Sequence, residues 1–95
     1  MSTNAQATRP GQELNEFGRT VYTLMVSRGY TSTRKLAEGM RGGPDGYRIT
    51  RQAVDNYTTG RRNVPSSFVE RFSDVLDLTY EERRNIAWAF AYGQG

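Results

Sequence analysis

The segment ITRQAVDNYTTGRR, residues 49 to 62, places an arginine, a glutamine, an aspartate and an asparagine at 51, 52, 55 and 56. On a helix these positions share one face, because residues three and four apart lie above one another. The chemistry available to such a face is hydrogen bonding to nucleobase edges. Arginine pairs with guanine O6 and N7, glutamine or asparagine with adenine N6 and N7, and aspartate accepts from cytosine N4. Thr50 stands where it can cap the helix and also reach a phosphate, and Arg61 and Arg62 follow the glycine that ends it. For Asp55 and Asn56, simple solvent exposure is the competing reading. For Arg61 and Arg62, it is idle solvation.

The elements that would position these residues follow from apolar spacing. Leu14, Phe17, Val21, Leu24 and Met25 recur at helical intervals and Gly29 stops the run, which predicts helix one. Ser32, or Thr31 before it, can cap a second, short helix whose inward residues are Leu36, Ala37 and Met40, broken by GGPDG at 42 to 46. Thr50 caps a third with Ala53, Val54 and Tyr57 inward, ending near Gly60. Tyr57 is read as core rather than as a base-stacking residue. After Pro65 comes a fourth helix with Phe68, Val69, Phe72, Val75 and Leu76 inward, and TYEE (79 to 82) has capping-box spacing for a fifth carrying Ile86, Trp88, Ala89 and Phe90. No stretch alternates with period two, so an all-α domain without a sheet is expected.

Composition sets the frame. With 95 residues, of which 36% are hydrophobic, the chain is one small domain with a modest core. The expected layout is a disordered tail over 1–10 and a domain over 11–92. There is no apolar run of roughly 18 residues, and MSTNAQATRP lacks the basic head and apolar centre of a signal peptide, so a cytoplasmic location is expected. Cysteine and histidine are absent, which removes disulfides, thiolate or imidazole metal sites and nucleophile–base pairs that use either residue. Asp45, Asp55, Asp74 and Glu82 show no ligand or nucleophile spacing. No enzyme, metal or cofactor is expected.

Charge is unevenly distributed along the chain. From Arg28 to Arg62, eight basic residues (Arg28, Arg34, Lys35, Arg41, Arg48, Arg51, Arg61 and Arg62) stand against Glu38, Asp45 and Asp55, a net +5. From Asn63 onward the balance is −2. Of thirteen cationic residues only Lys35 is a lysine, and arginine's planar fork suits phosphates and guanine edges. Two short helices, the second exposing Arg, Gln, Asp and Asn, among three others in a basic domain suggest a helix-turn-helix that reads the DNA major groove.

RKLAEGM, then ITRQAVDNYTTGRRNVP and FVERFSDVLDLTYEE, together resemble the lambda-repressor-like (XRE-type) helix-turn-helix family over about Leu14 to Glu82. The resemblance implies a compact five-helix domain acting as a sequence-specific double-stranded DNA-binding transcriptional regulator, a bacterial or phage repressor. The helix at 50–59 would be its reading element, with Arg51 and Gln52 as base-reading positions. It also implies a contact from Thr33 at the start of helix two, with Arg48 and Lys35 as weaker phosphate candidates. One departure is the stretch MRGGPDGYR, longer than the family's usual turn of about four residues. It reads either as an enlarged loop offering Arg41 and Arg48 to phosphate or as an insertion that shifts helix two and its Thr33. Its glycines are read as a flexible connector, since no GxxxxGK[ST] pattern is present.

The apolar end NIAWAFAYGQG requires a cover for Trp88, Phe90 and Tyr92. Packing back on Phe17 and Phe72 is the first expectation and a homodimer through the C-terminal helix the second. A third is that the chain is part of a longer regulator, with YGQG beginning a linker. The rival function is a protein-interaction module, an antitoxin or adaptor on the same fold, that binds DNA weakly.

Overall fold

In a computed structural model, which describes residues 13–94, the side chain of Asn15 accepts from the Gly18 amide at 2.8 Å and starts helix α1, Glu16–Ser27. Glu16 in its first turn suits the positive end of the helix dipole. Leu14 lies before the cap and is only half-buried, outside the helix, so α1 begins two residues later than apolar spacing alone suggests. Phe17, Val21, Leu24 and Met25 form its buried face.

Ser32 caps α2 (Thr33–Met40) through the Lys35 amide, 3.1 Å, and Thr50 caps α3 (Arg51–Thr59) through the Ala53 amide, 3.1 Å. Pro65 precedes α4, Ser66–Val75. Thr79 and Glu82 form the reciprocal capping box of α5, Tyr80–Tyr92. The domain is therefore all-helical, with five helices and no strand among the described residues. Helix α1 packs on α3 and α5, α2 on α3 and α4, and α4 on α5. Phe68 is the hub of the core. Its ring meets Phe17 edge-on at 6.2 Å, Tyr57 edge-on at 5.2 Å and Phe72 in a stack at 5.8 Å. Ile49, Val64 and Leu78, which lie between helices, close the same core. The tail over 1–10 lies outside the described residues. Among those described, no helix is long and apolar enough to cross a membrane.

The expectation that the C-terminal aromatics all pack back on the core is corrected. Trp88 and Tyr92 face outward, 59% and 74% exposed, whereas Ile86 and Ala89 are buried and Phe90 turns in to meet Phe17 at 6.5 Å. The run is apolar on both faces, so periodicity did not assign the side of its tryptophan. Gly93 and Gln94 are tied into the fold. The Gly93 carbonyl accepts from the Phe17 amide, 3.0 Å, and the Gln94 carbonyl accepts from the Asn15 side chain, 3.0 Å. The Gln94 side chain takes the Val64 amide, 3.0 Å.

The connection from α2 to α3 is a closed hairpin turn rather than a loose connector. Gly42 and Tyr47 exchange backbone hydrogen bonds of 2.9 and 3.0 Å. Gly42, Gly43 and Gly46 all have positive φ, which only glycine adopts without strain, and this is the reason for the local composition. From α4, Arg71 clamps the turn. Its Nε donates to the Met40 carbonyl at 2.7 Å, one Nη donates to the Gly42 carbonyl at 3.0 Å, and the guanidinium lies 5.6 Å from the centre of the Tyr47 ring. A cation is thereby set at the C-terminal end of α2, where its carbonyls lack partners.

Arg28 at the end of α1 and Glu82 of α5 form a two-pronged ion pair, with Nη–Oε distances of 2.6 and 2.8 Å and both side chains 26% exposed. Hydrogen bonding from Arg28, and secondarily from the Thr79 amide, lowers the Glu82 carboxyl from its ordinary 4.5 to about 2. A carboxylate depressed on folding contributes stability that is complete above its unfolded value and fades as pH falls from about 4.5 toward 2. The wild-type thermal midpoint should therefore drop across that window more steeply than that of Glu82→Gln. Parallel pH profiles for the two proteins would exclude this linkage.

Candidate nucleic-acid interface

Helix α3 is divided along its length. Val54 and Thr58 are buried, and Ala53 and Tyr57 pack against the core. The opposite side presents Arg51 and Gln52, exposed, with Asp55 and Asn56 half-buried one turn on. These four are coupled in pairs four residues apart. Arg51 Nε lies 4.0 Å from Asp55 Oδ2, and Gln52 Nε2 donates to Asn56 Oδ1 at 3.4 Å. Both contacts are long and solvent-facing, so a ligand that offers better partners displaces them at little loss. Asp55 also lies close to Tyr22 of α1. Burial first, and the Asp55 charge second, push the Tyr22 hydroxyl pKa above its ordinary value.

Cations stand at both ends of α3. Arg48 is exposed just before the cap, and Arg61 and Arg62 are exposed just after Gly60. Gly60 is left-handed at φ 81°. The Asn56 carbonyl receives the amides of Gly60, Arg61 (2.9 Å) and Arg62 (3.3 Å), which fixes how the arginine pair leaves the helix. The nine residues of α3 put about 13 Å of helix between the two cationic ends. Like α4, neither α2 nor α3 has an acidic residue in its first turn, whereas α1 has Glu16 and α5 has Glu81 and Glu82. The positive dipole ends of α2 and α3 are left without a local counter-charge.

Thr50 is exposed, and its oxygen is used as the cap while its hydroxyl proton remains a donor for an incoming acceptor. Lys35 is exposed near the start of α2, but Thr33 beside it is 8% exposed and contributes little to the surface. Arg41 is exposed with its Nε toward the Ala37 carbonyl at 3.4 Å. The structure thus gathers Arg48, Thr50, Arg51, Gln52, Asp55, Asn56, Arg61 and Arg62 along one helix, and leaves Thr33 out. Sequence reasoning missed Arg71, whose role depends on carbonyls about thirty residues away, and Gly18, against which the carbonyl of Thr58 packs. The only local signal for Arg71 was an arginine beside two inward phenylalanines.

No family model, curated protein or solved structure matches this chain.

Proposed function

We propose that this protein is a sequence-specific double-stranded DNA-binding transcriptional regulator, a repressor of bacterial or phage type acting in the cytoplasm at the nucleoid. In this reading α2 and α3 form a lambda-repressor-like helix-turn-helix with an enlarged turn, and α3 lies in the major groove. The observation that carries the proposal is the outward face of α3, where side chains with base-pairing geometry are bracketed by arginines at both ends. Arg51 and Gln52 read base edges, with Asp55 and Asn56 beside them. Thr50, Arg48, Arg61 and Arg62 hold phosphates and supply most of the affinity through counterion release.

Selection from a random duplex pool, followed by salt titration of the recovered sequence, tests this reading. Gln52→Ala should relax preference at one or two base pairs, by about 1–3 kcal/mol against the wrong base. Arg61→Ala should weaken binding to all duplexes alike and lower the log–log salt slope by about 1. The reading fails if both variants bind every duplex as wild type does. Binding to a protein partner that ignores salt, with no duplex selected, would instead favour the antitoxin or adaptor reading, for which the uncovered Trp88 and Tyr92 speak.

A further inference from the structure

We propose that Gln94 is a positioning residue for the arginine pair at the exit of α3, and that it ties phosphate binding there to the end of α5. The functional half of this inference rests on the DNA-binding reading. Gln94 follows α5, is half-buried and holds three groups at once. Its side-chain carbonyl accepts from the Val64 amide at 3.0 Å, and its side-chain amide donates to the Phe90 carbonyl at 2.8 Å. Its backbone carbonyl accepts from Asn15 Nδ2 at 3.0 Å. Val64 is buried in the connection between α3 and α4, two residues beyond Arg62.

That connection needs a partner from outside itself. The amides of Gly60, Arg61 and Arg62 converge on the Asn56 carbonyl, so three donors share one acceptor with two lone pairs. Arg62 holds the longer of the two arginine contacts, 3.3 Å against 2.9 Å. Pro65 has no amide to offer, which leaves Val64 as the last backbone donor before α4, and its acceptor lies 30 residues away in the sequence. Asn15 closes the arrangement from α1. Its backbone amide donates to the Thr58 carbonyl at 3.1 Å, and its Nδ2 lies so near Gly60 that a Cβ there would come within 3.1 Å of it. The start of α1, the end of α3 and the residue after α5 therefore meet where the arginine pair leaves the helix. Gln94 is not part of the hydrophobic core, so losing its side-chain bonds loosens the connection without emptying a packed site. Displacing the end of α5 would release the same Val64 amide, which makes this contact the route by which α5 acts on Arg61 and Arg62.

Gln94→Met, made in the whole chain, is the test, because methionine keeps the length of the side chain and offers no comparable donor or acceptor. Measurements are taken well below the thermal midpoint of both proteins, where each is fully folded. Hydrogen exchange at the Val64 amide should accelerate about tenfold while that of Val21 and Met25 in α1 is unchanged. Binding to the duplex selected by wild type, and to a scrambled duplex, should weaken by the same factor, about tenfold, with the log–log salt slope lower by about 1 to 2. Base preference at the Gln52 position should be retained. A purely structural residue would lower the thermal midpoint and leave the slope of the folded protein as it is. Faster exchange at Val64 with wild-type affinity and slope would therefore overturn the proposal, as would unchanged exchange. A wild-type protein that binds no duplex is a separate result, which overturns the DNA-binding reading and the functional half of this inference with it.

Discussion

Gly18→Ala is expected to destabilise the domain by about 3 kcal/mol and to lower the thermal midpoint by roughly 10 to 20 °C. Helix propensity argues for the opposite sign, since alanine inside a helix is better than glycine by about 1 kcal/mol. Packing decides the outcome. An added Cβ at 18 would overlap the carbonyl oxygen of Thr58 and approach its carbonyl carbon at 2.9 Å and its Cα at 3.0 Å. The obstacle is backbone, which cannot rotate away as a side chain can. The same carbonyl accepts the Asn15 amide at 3.1 Å, and the Thr58 hydroxyl, itself buried, donates to the Val54 carbonyl at 2.9 Å. Separating α1 from α3 would strain the cap of one helix and the last turn of the other. Urea and thermal unfolding of the variant measure the effect. A more stable Gly18→Ala protein would mean that the two helices part without loss and that the close approach carries no constraint.

What could be read from the sequence and what could not divide by the range of the interaction. The starts of α2, α3 and α5 were legible because caps are local, whereas the Asn15 cap of α1 was missed. Ser32, Thr50 and the Thr79–Glu82 box each bond an amide three residues on. The exposed polar face of α3 was legible for a similar reason, since Val54 and Tyr57 fix the inward side and leave 51, 52, 55 and 56 opposite. Three things were not legible. Trp88 sits in a run whose apolar residues cover both sides of the helix, so no stripe indicates which side is buried. Thr33 follows a cap and carries a polar side chain, yet it is buried. The fold around GGPDG depends on a partner far along the chain, and glycines at positive φ look, in sequence, like glycines in a slack linker.

That partner, Arg71, gives the second large effect. Arg71→Ala should lower stability by about 2–3 kcal/mol, because two backbone carbonyls lose a charged donor and are only partly accessible to replacement water. Arg71→Lys should fall between the variant and wild type, since one ammonium cannot fork to Met40 and Gly42 while lying over Tyr47. The place where protection is lost matters more than its total. The amides of Gly42 and Tyr47 close the hairpin, so their hydrogen exchange should accelerate in Arg71→Ala before that of α5 changes. Residues 48 to 50 follow directly from this turn and set the entry of α3. If the turn anchors that entry, the variant should also bind all duplexes more weakly, with base preference at the Gln52 position retained. Unchanged exchange at Gly42 and Tyr47 would show that the hairpin holds itself and that Arg71 contributes only to α4. Faster exchange with unaltered DNA affinity would confine the clamp to stability. Loss of both links the glycine turn, through one arginine on α4, to the presentation of α3.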